Sequence, residues 1–389
     1  MKRVHFIGAG GYSMSGLALL MKQQGYEVTG SDVNATSRTE RLRQAGITVY
    51  TEHVPENVHG ADWVIYNTDV SEQNPERQEA SRDPHIRLMH RSELLAEILT
   101  HFQAIAVSGT HGKTTTTSMI GHILMRTGWD PTVLVGGEVP GFSGNLRIGR
   151  SAWAVAEADE SDGTFLRYHP FIAVATNVEP EHLDHFHNSF DEVVRAFEQF
   201  IGTVPKDGLA ILGIDNPVLK SLAARTSAPL LTFGWDDTAQ LWPAQLVQKA
   251  GSTTFTAVFC GKEAACVHLP LPGRHNVLNA LAALAACHHA GVSWEKAAAG
   301  LADFQNAARR FQTIASVRGI RIVDDYAHHP SEIRATLAAS RQITSGRTLA
   351  VFQPQRYVRT QSLWKEFAQA FTAADEIFLT EIYSPPGEQ

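Results

Sequence analysis

The sequence predicts an α/β protein made of successive units in which a buried strand runs into a ligand-binding turn and then into a helix. Three stretches carry that expectation. Ala104 to Thr117 is an apolar run that breaks at Gly109 and Gly112 and resumes as a helix with Met119, Ile120, Ile123 and Leu124 on one face. Val4 to Gly16 repeats the order of strand, glycine turn and helix, and a second strand, Glu27 to Ser31, ends in Asp32. Ile320 to Val323, Leu349 to Phe352 and Ile377 to Leu379 then space three further strands around helical segments.

With 389 residues, of which 43% are hydrophobic, the chain is long enough for two or three domains with real cores. The expected divisions are 1–97, 98–306 and 307–389. A formal charge of −7 argues against a nucleic-acid partner or an anionic membrane surface, which would select a basic excess. Small anionic ligands remain open, because local basic clusters can hold phosphate inside an acidic protein. Cys260, Cys266 and Cys287 show no paired spacing, so a disulfide framework is not expected and a reduced, cytoplasmic setting is. No apolar run is long enough for a signal peptide core or a membrane insertion.

In the first unit, Gly8, Gly10, Gly11 and Gly16 bracket a turn of the kind that receives a diphosphate, with Asp32 placed to meet a ribose hydroxyl. Ser13 stands where the strict dinucleotide motif has its third glycine, so a nucleotide-diphosphate pocket and a plain structural turn both fit. Weaker strand signals follow at Gly46 to Val49 and Trp63 to Tyr66, and a helix at Glu93 to Leu99.

The second unit opens on Gly109-Thr110-His111-Gly112-Lys113-Thr114-Thr115. Glycines let backbone N–H groups close on phosphate oxygens, the helix N-terminus adds positive potential, Lys113 reaches terminal phosphates, and the Thr114 hydroxyl can hold Mg²⁺. Val107 occupies the position of the usual first glycine, which makes this a shortened P-loop. The next strand, Ala152 to Ala156, ends in the acidic run Glu157 to Asp162, and Ile172 to Thr176 ends in Asn177 to His185. Ligands of open parallel sheets collect at such strand ends. Magnesium prefers oxygen donors, which favours Glu157, whereas His182 would serve either directly or through water. A zinc site from His182, His185 and His187 lacks a clear fourth ligand. Further on, His275 and Asn276 open an Ala-rich helix, where they either hold a base or phosphate or cap the helix. Arg309 and Arg310 suit phosphate charge that grows in a transition state. Asp324 to Pro330 and Gln353 to Thr360 are the polar strand ends of the third unit.

These stretches together resemble the Mur ligase family, and the match runs in family order along the whole chain. The resemblance implies three domains: a Rossmann-like N-terminal domain for a UDP-sugar, a central P-loop ATPase domain, and a Rossmann-like C-terminal domain that closes on an amino acid. It implies ATP-dependent joining of L-alanine to UDP-N-acetylmuramate through an acyl phosphate, in precursor synthesis for peptidoglycan. By motif position, Gly10, Gly11, Met14, Ser15 and Asp32 would hold the UDP-sugar. Gly109 to Thr115, His275, Asn276 and Arg310 would bind ATP, and Thr114, Glu157 and His182 the Mg²⁺. Tyr326, His328, Arg356 and Arg359 would face the acyl phosphate and alanine, with Lys113, Glu157, His182, His328 and Arg356 as the catalytic set. Gln355 stands where the family commonly has His, which bears on amino-acid choice. The family's third domain continues past position 389, so a truncated C-terminal domain with impaired stability or activity is expected. The competing readings are a relative adding another amino acid or a recycled peptide, and a nucleotide-sugar binding protein without catalysis. A dehydrogenase would leave the phosphate loop unexplained.

Overall fold

Five short strands that alternate with helices form the first sheet, all parallel, in the order Thr48–Tyr50, Glu27–Ser31, Arg3–Ile7, Trp63–Tyr66, Arg87–His90. This is a computed structural model, and it describes residues 2–142, 144–161, 163–249 and 251–384. The strand order reverses beside Arg3–Ile7, so its carboxyl end opens into the crevice where doubly wound sheets bind ligands. Behind that end, Glu76 is fully buried and accepts hydrogen bonds from Ser31 Oγ (2.5 Å), Asn57 Nδ2 (2.5 Å) and His53 Nδ1 (3.1 Å). Burial alone would raise its pKa, but His5, His53, Ser31 and Asn57 outweigh that and hold it near 2. The network fixes Ser31 and therefore the residue after it, Asp32.

The boundary expected at residue 97 falls inside the Arg91–Leu99 helix, and the second sheet begins at Gln103. That sheet has ten strands, with Gln103–Ser108 flanked by Ile172–Ala175 and Trp153–Glu157 in parallel register. Its core strands are continuously apolar because helices cover both faces. The helices Lys113–Arg126 and Arg274–His289 pack together on one face. Small side chains such as Ala280, Ala282 and Ala283 are completely buried there and allow close approach. A meander of three antiparallel strands, Leu241–Lys249, Ser252–Phe259 and Lys262–Leu269, extends one edge.

The third unit departs from expectation. Ile320–Asp324 does not join the later strands. It pairs antiparallel with Gln312–Val317, which sequence periodicity did not single out. Arg318 and Gly319, both at positive φ (52° and 81°), make the two-residue turn, a geometry whose twist matches paired strands. Leu349–Phe352 and Glu376–Leu379 form a separate parallel pair, with Phe352, Phe367 and Phe371 clustered beneath.

Candidate functional site

The phosphate loop is a rigid object because it is tied to the neighbouring strand end. Asn177 grips the backbone of His111 at both sides: its Oδ1 accepts from His111 N (2.8 Å) and its Nδ2 donates to His111 O (3.0 Å). Thr176 Oγ1 donates to the same carbonyl at 2.6 Å, and the Glu179 amide donates to Thr110 Oγ1 at 2.8 Å. Two glycines are obligatory for steric reasons. A Cβ on Gly109 would sit 2.1 Å from Thr176 Oγ1, and one on Gly112 would sit 2.5 Å from Asn279 Oδ1, with both residues at positive φ. Val107, at the position of the missing glycine, is simply a buried strand residue.

Lys113 is 14% exposed and donates to Glu160 Oε1 (2.9 Å), Gly109 O (2.7 Å) and Thr110 O (3.3 Å). Burial disfavours its charge, yet Glu160, Asp159 and Glu157 together push its pKa above the usual lysine range. The Thr114 hydroxyl donates to Glu157 Oε1 at 3.0 Å, and Gly136 N donates to Glu157 Oε2 at 2.7 Å. Two hard oxygen donors therefore stand side by side where the loop turns into its helix, a set that suits magnesium.

The third unit closes over this site. Arg359 Nη2 lies 2.8 Å from Glu181 Oε1, and their side chains are only 9% and 7% exposed. The His111 ring lies between Glu179 (3.3 Å from Nε2) and Glu332 (3.2 Å from Nδ1), with Ser331 Oγ at 2.8 Å from Nε2. Glu332 is the third residue of the Pro330–Ile343 helix and also accepts from the His328 amide at 3.0 Å. Two cavities result. One, of about 230 Å³, is lined by Thr115, His275, Asn276, Asn279, Arg310 and Thr336. The other, of about 290 Å³, brings Tyr12 of the first unit together with Lys113, Thr114, Glu157 and His182 of the second, and Arg310, Tyr326 and His328 of the third.

His111 supplies a pH signature. Burial alone would lower its pKa, but Glu179 and Glu332 override this and raise it to about 9 from 6.5. A raised value means that the link to the Pro330–Ile343 helix is complete below pH 6.5 and disappears as the pH passes through about 9. Hydrogen exchange of that helix, corrected for intrinsic rates, is expected to accelerate across this window in the wild type and to be flat in His111→Gln. Equal profiles would disprove the linkage.

Comparison with known proteins now decides the lineage. Residues 3–103 match the description "Mur ligase family, catalytic domain", residues 107–287 "Mur ligase middle domain", and residues 309–389 "Mur ligase, glutamate ligase domain". The UDP-N-acetylmuramate–L-alanine ligase of Symbiobacterium thermophilum is 49% identical, over 100% of this chain and 81% of that protein. This chain belongs to the Mur ligase family. The crystal structure of the UDP-N-acetylmuramate-alanine ligase of Thermotoga maritima shares its fold with a TM-score of 0.86 at 30% identity, covering 98% of this chain and 86% of that one. A murein peptide ligase from Psychrobacter arcticus gives 0.78 at 28% identity, covering 100% and 85%.

In this Mur ligase the expected site residues are placed as follows. Gly109 to Thr115, Glu157, His182, Asn276, Arg310, Tyr326 and His328 line or frame the two cavities, and Arg359 braces them through Glu181. Asp32 turns back on the glycine turn, where its Oδ2 accepts from Gly10 N at 2.8 Å. Met14 and Ser15, expected to hold the UDP-sugar, lie in the first turn of the Tyr12–Gln23 helix with their side chains toward the core. They are 1% and 3% exposed because the helix begins at Tyr12 and its third and fourth residues point into the core. Arg356 sits at positive φ (67°) before a short helix, with its backbone N–H bonded to Tyr383 O. Gln355 donates to the Tyr326 hydroxyl at 3.3 Å.

Sequence reasoning passed over several residues that the fold brings in. Arg38 donates from Nε to Gly10 O (2.6 Å) and stacks on Tyr12, which places a cation at the first glycine turn. Glu332 was equally unmarked, and Glu160 and Asn177 lay within marked strand ends without a role of their own. His111, Glu179 and His329 are the one set of three His, Cys, Asp or Glu side chains among the described residues whose ligand atoms lie within 4.8 Å of one another. Hydrogen bonds and the His111 proton already account for that cluster.

Proposed function

We propose that this chain joins L-alanine to UDP-N-acetylmuramate with cleavage of ATP, as a step in building the peptidoglycan precursor. The observation that carries the reading is the larger of the two cavities, where Tyr12, which follows the glycine turn of the first unit, the phosphate loop of the second and the Tyr326–His328 stretch of the third converge on one space. A carboxylate is a poor acylating agent, and ATP solves that problem by giving its γ-phosphoryl group to the carboxylate oxygen. The resulting acyl phosphate is attacked by the amine and releases phosphate. Residues 1–97 take the UDP-sugar, with Arg38 near its diphosphate. Residues 98–306 take ATP, with its base and ribose in the smaller cavity beside Asn276 and Arg310. Residues 307–389 bring the amino acid, with Tyr326, His328, Arg356 and Arg359 around it.

Lys113 and Arg310 neutralise charge on the transferring group, and the loop N–H groups hold it in line. Thr114 and Glu157, with His182 across the cavity, would hold Mg²⁺, which shields the phosphate oxygens when bound. The chain acts in the cytoplasm, where ATP and the nucleotide sugar are found; no described helix is long and apolar enough to cross a membrane.

Phosphate release should require UDP-N-acetylmuramate, ATP and L-alanine together. Supplying a muropeptide in place of L-alanine tests the role of the peptide ligase relative. Higher turnover with the peptide, or ATP hydrolysis indifferent to the sugar, would refute the proposal.

A further inference from the structure

The amine that enters this reaction is an ammonium ion at neutral pH, and an ammonium has no lone pair to attack with. A residue in the cavity must take a proton first. Lys113 is a cation paired with Glu160 in the field of Asp159 and Glu157, and Glu181 is spent on Arg359. His111 is protonated and donates from both ring nitrogens. His329 Nδ1 is engaged by Ser331 Oγ at 2.6 Å. His182 Nε2 lies 3.8 Å from the Glu181 carboxylate.

His328 differs from all of these. Its Nδ1 is 2.8 Å from the Tyr326 carbonyl, which can only accept, so Nδ1 carries the proton and Nε2 carries the lone pair. No described residue bonds Nε2, and the ring borders the larger cavity. Glu332 Oε2 accepts the His328 backbone N–H at 3.0 Å and lies 3.6 Å from Nδ1, where its charge stabilises an imidazolium. A ring with its lone pair at the cavity and a carboxylate beside its protonated nitrogen is the arrangement that general base catalysis needs.

We infer that His328 and Glu332 form the proton-accepting pair of this ligase, with Nε2 of His328 taking a proton from the ammonium of the incoming amino acid and Glu332 fixing the His328 backbone and stabilising the imidazolium. This rests on the acyl-phosphate reading above. One ammonium proton moves to Nε2, and its N–H bonding pair stays on nitrogen as the attacking lone pair. That pair forms the C–N bond to the acyl carbon, the C–O bond to phosphate breaks, and its electrons leave with the phosphate. The second proton on nitrogen departs with the phosphate, and the imidazolium returns its own to solvent. The direction of its titration agrees: burial lowers the His328 pKa and Arg359 assists, while Glu332 and Glu181 oppose it, and the net lowering favours the neutral ring.

The experiment compares two nucleophiles in the full chain with ATP and UDP-N-acetylmuramate. L-Alanine needs deprotonation, whereas hydroxylamine is already unprotonated at neutral pH and traps the acyl phosphate as a hydroxamate. In His328→Gln, alanine ligation is expected to fall by about a hundredfold in kcat and to recover as the pH is raised, while hydroxamate formation falls at least about tenfold less. In Glu332→Gln, the acid limb of the kcat/KM profile for alanine should move to lower pH, because the ring loses its stabilising carboxylate. Equal losses with both nucleophiles, or an unmoved acid limb, overturn the inference. Absence of hydroxamate with the wild type overturns the acyl-phosphate reading, and this inference with it.

Discussion

Lys113→Ala is expected to lower L-alanine-dependent phosphate release by about two to three orders of magnitude, the usual loss when one preorganised donor to a transition state is removed. The effect should fall on kcat as well as on ATP affinity, because the negative charge that Lys113 meets grows as the γ-phosphoryl group leaves. Lys113→Arg should not restore it. The guanidinium is a broad planar fork, and the ammonium here is 14% exposed between two loop carbonyls and Glu160. The fold should survive. Burial, with Asp159 adding to it, already raises the Glu160 pKa to about 7, so without its partner this carboxyl takes up a proton instead of remaining a buried charge. Turnover in Lys113→Ala within tenfold of wild type, in a protein with wild-type thermal stability, would remove the basis for the phosphate-loop assignment.

The second large effect is expected at Arg359. Its partner Glu181 belongs to the central unit, so the pair spans the join between the second and third units. Both side chains are almost completely buried. Truncating one member of a buried pair typically costs about 3–5 kcal/mol, because the other charge is left uncompensated. Here that cost falls on closure, since Glu181 can regain water when the third unit swings away. Arg359→Ala should therefore raise KM for L-alanine by about a hundredfold or more, with 1.4 kcal/mol corresponding to roughly tenfold. The double variant with Glu181→Gln should be less impaired than the two single effects combined. Additive losses would show that the two side chains act independently.

The parts of this enzyme that sequence reveals are those in which chemistry is local. The order of strand, Gly109 to Thr115 and helix sits within one short stretch, and the same holds for the turn at Gly8 to Gly16. Long-range partners are silent. His111 and Glu332 are 221 residues apart, and neither position predicts the other. Glu160 and Asn177 lay inside stretches recognised as ligand-bearing strand ends, but which carboxylate would hold Lys113 and which amide would grip the loop depended on the register of three parallel strands. The Gln312–Val317 strand was missed for another reason. Its side chains are mostly exposed, so the alternation that marks a half-buried strand is weak, and only Arg318-Gly319 signals the turn. The inward turn of the Met14 side chain was not legible either, because a motif position indicates the backbone's location and not the face toward which a helical side chain turns.

The position of Lys113 also sets the terms on which the loop takes a phosphate. Its ammonium lies against two carbonyl oxygens of its own loop and the Glu160 carboxylate. A phosphate chain draws on that cation by competing with those three groups, so part of the attraction between loop and phosphate goes into displacing contacts the protein makes with itself.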